Sequence, residues 1–88
     1  MPLRDISALT EWRERDNPPS AIWTIVEAWV LGLDLTPWLY PSTPFQELSF
    51  QPDFETRSAI IPETGGIEIF YRNDYASDAV DLIWVGRT

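Results

Sequence analysis

Arginine is the side chain in this sequence best suited to holding an anion or stabilising a developing phosphate charge. Three of the six arginines, Arg57, Arg72 and Arg87, fall in or beside stretches rich in β-branched and aromatic residues towards the carboxyl end. Cations fixed on a sheet are what a phosphoryl-transfer transition state requires, because its charge must meet donors already in position. The remaining apparatus is thin. There is no lysine, and no histidine to act as the commonest general base or metal ligand. The absence of cysteine removes thiolate nucleophiles, a disulfide framework and Cys-ligated zinc. Fourteen carboxylates are present, but no spacing singles out two of them as an acid–base pair. No catalytic residue, metal site or cofactor is expected. A second group of candidates is aromatic: Trp38 and Tyr40 in a proline-rich stretch, and Tyr71 beside Arg72. Each could meet a partner or simply anchor its segment by burial. Ion pairing with Glu55, Glu68 or Asp81 is the plainer role for Arg57 and Arg72, and a solvated terminal charge is the plainer role for Arg87.

The charge balance narrows the partners. Fourteen acidic groups against six basic ones give −8. Between Arg15 and Arg57 there is no cation, while Asp16, Glu27, Asp34, Glu47, Asp53 and Glu55 lie there. Nucleic-acid affinity rests on cationic contacts that release counterions, so direct nucleic-acid binding is not expected. A basic segment of a protein partner suits this surface better. The longest apolar stretch, Ala28–Leu33, is far short of the ~20 residues that span a bilayer, and nothing at the amino terminus resembles a signal peptide. No membrane association is expected, and a cytoplasmic location is the default reading.

The elements that would position these residues make one domain over 1–88. Leu3, Ile6, Leu9 and Trp12 recur every third residue, which predicts a helix over 3–15. Asp16-Asn-Pro-Pro19 stops it and starts another, with Asn17 able to cap the new amides. Ile22, Ile25, Val26, Trp29, Val30 and Leu33 then form an apolar stripe, predicting a second helix over 18–33. Pro37, Pro41, Pro44 and Pro52 make 34–54 a long loop, pinned by its aromatics. Strands are predicted over 55–61, 67–72 and 80–86. Glu63-Thr-Gly-Gly66 is a turn, and Asn73, Asp74, Ser77 and Asp78 make the last connection. The expected fold class is α+β: a two-helix hairpin packed on a three-stranded antiparallel β-meander, in the order α-α-β-β-β.

Several short pieces, in order along the chain, resemble the RelE/ParE superfamily of bacterial toxins. Arg4-Asp-Ile-Ser-Ala-Leu-Thr-Glu-Trp12 leads to Arg15-Asp-Asn-Pro-Pro-Ser-Ala21, similar to the family's helix elbow "x-D-N-P-x-A-A". Glu55-Thr-Arg-Ser58 is similar to its "L-R-S", and Ile69-Phe-Tyr-Arg72 to its "v-f-Y-R". Leu82-Ile-Trp-Val-Gly-Arg87 stands where the family has an apolar last strand ending in "V-x-H" or "V-G-x-R". The elbow and the Tyr-Arg pair fit the ParE branch best. That resemblance implies a toxin of a type II toxin–antitoxin module, which binds a DNA gyrase-type target and is neutralised by a cognate antitoxin. Charge complementarity makes the antitoxin's binding segment relatively basic.

The departures define the other readings. The family opens with a β-strand before its first helix, and a helix beginning at residue 3 leaves no room for that strand here. An uncovered sheet edge would result, and with it a homodimer through that edge or strand donation by a partner. The ribosome-dependent RNase branch relies on sheet lysines and arginines, yet Glu68 stands where one of those arginines would be. The alternative to a toxin is a truncated, non-toxic relative serving as an acidic protein-binding or inhibitor module. An mRNA interferase is the third reading.

Overall fold

The computed structural model describes residues 1–35, 43–44 and 53–87. Its order is β1 (Leu3–Asp5), α1 (Ser7–Asp16), α2 (Ser20–Leu31), a 3-10 turn at Gly32–Asp34, β2 (Thr43–Pro44), β3 (Phe54–Ile60), β4 (Ile67–Asp74) and β5 (Ala79–Arg87). The strands form one mixed sheet in the order β1-β5-β4-β3-β2, in which β2 is a two-residue pairing on β3. The α+β class and the antiparallel β3-β4-β5 meander hold. The expectation of a purely antiparallel three-stranded sheet is corrected, because β1 joins the far edge parallel to β5.

That first strand is the main departure from the sequence reading. The chain does not run from Met1 into a helix. Leu3 lies opposite Val80 and Asp5 opposite Asp81, and the Val80 amide donates to the Pro2 carbonyl at 2.9 Å. Three residues are too few to display a period-two alternation, so Leu3 and Ile6 read as part of the helix that comes after them. Arg4 holds the strand by reaching both Asp74 and Asp81. The helix instead begins after a turn in which the Asp5 carboxylate accepts from the Ser7 amide at 2.9 Å and the Ser7 hydroxyl at 2.7 Å.

The elbow between the helices is built by Asn17, but not in the way its position suggests. Asn17 does not cap α2. It is the left-handed terminus of α1, with φ 42°, and its amide donates back to Arg13 at 3.0 Å. Asparagine tolerates that geometry better than most residues, and the prolines behind it cannot prolong the helix. α2 starts after Pro19 and has no side-chain cap at all. Indole packing then fixes the corner. Trp12 stacks on Trp23 with centroids 6.0 Å apart, and Arg13 lies over the Trp23 ring at 4.5 Å.

One face of the sheet makes the core. Ile67, Ile69 and Tyr71 of β4 are buried with Val80, Leu82 and Val85 of β5, beneath Leu9 and Trp12 of α1 and Val26 and Val30 of α2. The apolar stripe of α2 is buried at Val26, Val30 and Leu33, with Ile22, Ile25 and Trp29 packed around it. β5 carries one extra residue between the pairs Phe70–Trp84 and Tyr71–Leu82, which leaves Ile83 in a bulge and exposed. On the opposite face the Trp84 indole lies over Gly86, so close that a Cβ there would clash with the ring. Among the described residues no helix is long and apolar enough to cross a membrane.

Candidate functional site

The three strand arginines do not share a site. Side chains of paired residues in adjacent strands share a sheet face, and successive residues alternate. Arg57 lies opposite Tyr71, on the helix-covered face, and its side chain is only 11% exposed. Its guanidinium meets Glu55 at 3.1 Å, and the same carboxylate oxygen accepts from the Tyr75 hydroxyl at 3.2 Å. Burial, reinforced by the Glu55 carboxylate, pushes the Tyr75 hydroxyl above its ordinary pKa, against a bond from Asn73 that lowers it. Arg72 lies opposite Thr56 on the other face and covers the Phe54 ring at 5.4 Å. Arg87 pairs with Ile67, five residues from Arg72 along β4, which puts their backbones roughly 17 Å apart.

Tyr71 is not available as a contact residue. It is fully buried in the core, because the pleat that turns Arg72 outward turns its neighbour inward. Trp38 and Tyr40 lie outside the described residues. Glu68, where an RNase would place an arginine, lies opposite Ile60 and is half-buried.

Two other places hold arginines in charged surroundings. At the edge formed by β1, Arg4 bridges Asp81, with its Nε at 3.0 Å, and Asp74 at 3.0 Å. Burial pushes the Asp74 carboxyl up, but the Ser77 amide and the Arg4 guanidinium outweigh it and hold that carboxyl below its usual range. Arg4 in turn is held more firmly protonated by its bonds to Asp81 and Asp74. The cluster is closed: one guanidinium with two carboxylates.

The second place is an open cleft at the helix elbow. It encloses about 640 Å³ and is lined by Trp12, Arg15 and Asp16 of α1, Pro18 and Pro19 of the elbow, Ile22 of α2, Thr64 of the turn before β4, and Ile67 and Arg87 of the sheet. The turn before β4 shapes its far side. Thr64, buried, donates to the Ile61 carbonyl at 2.6 Å and accepts from the Ile67 amide at 3.1 Å, while Gly65 takes φ 73°. That turn presents the Gly65 carbonyl to Arg87, which donates to it at 2.9 Å. Across the cleft Arg15 donates to the Val85 carbonyl at 2.6 Å and meets Asp16 at 3.2 Å. Arg15 therefore occupies a carbonyl on the stretch of β5 that β1 leaves uncovered.

Arg87 was legible as a candidate from its place at the end of an apolar strand. Arg15 was not, because its position in the last turn of a helix is explained equally well by the helix dipole. No local spacing pairs it with Arg87. Trp12 was legible only as an apolar position, yet its indole N–H is buried with no acceptor among the described residues. Among the described residues no group of three or more carboxylates is arranged to hold a metal ion. No family model, no curated protein and no solved structure matches the chain.

Proposed function

We propose that this chain is a ParE-like, protein-binding toxin of a type II toxin–antitoxin module, directed at a gyrase-type target in the cytoplasm and neutralised by a cognate antitoxin. One observation carries the choice of binding over RNA cleavage. Arg57 and Arg72 lie on opposite faces of the sheet, and Arg87 stands about 17 Å from Arg72. Stabilising a phosphorane needs several cations around one group of atoms, and these three do not surround any common point.

Two features support the toxin-like reading. The resemblance calls for a strand ahead of the first helix, and β1 supplies one. The sheet face away from the helices also presents large apolar groups, with Ile60 and Trp84 exposed and Phe70 tilted against Trp84 at 5.8 Å. A protein target is bound through such a surface more readily than a nucleic acid is. The net charge of −8 favours a basic antitoxin segment. A homodimer through the β5 edge has less room than a wholly uncovered edge would give it, because β1 and Arg15 occupy part of that edge.

The second reading, a non-toxic acidic binding module, is favoured by cations that are already paired within the chain. Arg4, Arg15 and Arg57 each meet a carboxylate of the chain itself. Expression of the chain alone in a bacterial host, monitored through growth and plasmid supercoiling, separates the two. Arrest with loss of supercoiling, relieved by an antitoxin encoded beside it, supports the toxin. Unimpaired growth at high soluble yield transfers the proposal to the binding module.

A further inference from the structure

We propose that the elbow cleft binds a single carboxylate carried on an apolar residue, as at the carboxyl end of a short hydrophobic peptide. The site is independent of the toxin-like reading, since either could fail without the other.

The guanidiniums set the charge of the ligand. Each has five N–H donors, of which Arg15 uses one on the Val85 carbonyl and one on Asp16, and Arg87 one on the Gly65 carbonyl. Carbonyls orient a guanidinium without neutralising it. The two arginines and Asp16 therefore leave the cleft with one net positive charge, within a chain carrying −8. A carboxylate monoanion matches that balance. A polyanion would meet repulsion from the surrounding acidic surface.

The walls set the rest of the ligand. Trp12, Pro18, Pro19, Ile22 and Ile67 are apolar, and a volume of about 640 Å³ accommodates a di- or tripeptide rather than a lone anion. One unmet need beside the cleft adds to the charge argument for an acceptor. α2 begins at its mouth with no side-chain cap, so its first-turn amides lack side-chain acceptors. Trp12 forms part of the same wall, so its indole resonance reports on what fills the cleft.

The test uses N-acetyl-alanyl-leucyl-leucine with a free carboxylate, the same peptide as its C-terminal amide, and inorganic phosphate. Each is titrated into the full chain and monitored by calorimetry and by the indole N–H resonances of ¹⁵N-labelled protein. The acid should bind about tenfold tighter than the amide, the value of one charge-assisted hydrogen-bonded contact, and should move the Trp12 indole resonance. Arg87→Gln should weaken binding of the acid about five- to tenfold while the melting temperature stays put. Arg15→Gln should weaken it similarly. Because that change also removes the Val85 contact, the exposed Arg87 variant decides if the Arg15 variant unfolds. Asp16→Asn should tighten binding two- to threefold (roughly, from one screened charge) by removing the internal competitor, an effect that a merely structural role would not produce. Equal binding of acid and amide, indifference to Arg87→Gln, or phosphate binding in preference to the peptide would each overturn the proposal.

Discussion

Two ends of β5 use arginine in opposite ways. Near its start Arg4 bridges Asp74 and Asp81, so its charge is fully taken up by the chain's own carboxylates. Near its end Arg87 is held by the Gly65 carbonyl and Arg15 by the Val85 carbonyl and Asp16, so two guanidiniums meet a single carboxylate. A guanidinium paired with carboxylates fastens the fold, whereas one propped on carbonyls keeps donors for something else. The difference locates function better than the presence of arginine does.

The contrast between the two ends breaks first at Arg4. Arg4→Ala leaves the buried Asp74 carboxylate without its cation and frees β1, so thermal denaturation should show the largest loss of the set, on the order of 10 °C. The same cluster should respond to acid. The Asp74 carboxyl is held below its unfolded pKa of about 4, so the unfolded chain binds more protons in acid. The stability that this group contributes is present above that value and is lost as the pH falls through its lower folded pKa. Asp5, lowered by the Ser7 amide and hydroxyl, acts in the same sense. Asp74→Asn should flatten this part of a stability–pH profile measured by urea denaturation, and Arg87→Gln should leave it unchanged.

Gly86→Ala sharpens the contrast beside the cleft without touching it. The added Cβ meets the Trp84 ring on the far face, and displacing that ring should cost about 1–2 kcal/mol in chemical denaturation. Arg15→Gln should cost about 0.5–1.5 kcal/mol for the lost bond to the Val85 carbonyl. Arg87→Gln comes last, within about 0.5 kcal/mol, as befits an exposed side chain. If Arg87→Gln proved as destabilising as Arg4→Ala, both ends would be structural fasteners and the distinction would fall.

Much of the fold could be read in advance because it is written in repeated local signals. The α2 stripe spans three turns, the prolines at 18 and 19 mark the elbow, and the last two strands are dense in β-branched and aromatic residues. β1 escaped because three residues cannot show a period and its pairing partner, Val80, is supplied from the other end of the chain. Asn17 marks the elbow but closes α1 and does not cap α2, since an asparagine ahead of proline serves the end of one helix as well as the start of another. Of the candidate residues, Arg57, Arg72 and Arg87 were found by type, while their separation onto two faces depends on register, in which a slip of one residue exchanges the faces.

By itself, then, the sequence determined the consequences of composition and short-range order: an acidic α+β chain without thiol or imidazole chemistry, two helices meeting at a proline elbow, and a meander closing on a tryptophan-bearing strand. Those properties depend on residues within a few turns of each other, where backbone preference and apolar period act directly. Only the tertiary structure decided which cations are neutralised and which keep their charge. It placed Arg4 between two carboxylates from the opposite end of the chain, and brought Arg15 and Arg87 to one cleft over the Trp12 indole. Charge pairing is set by distance in space, and distances across a sheet edge are fixed only once the strands have found their register.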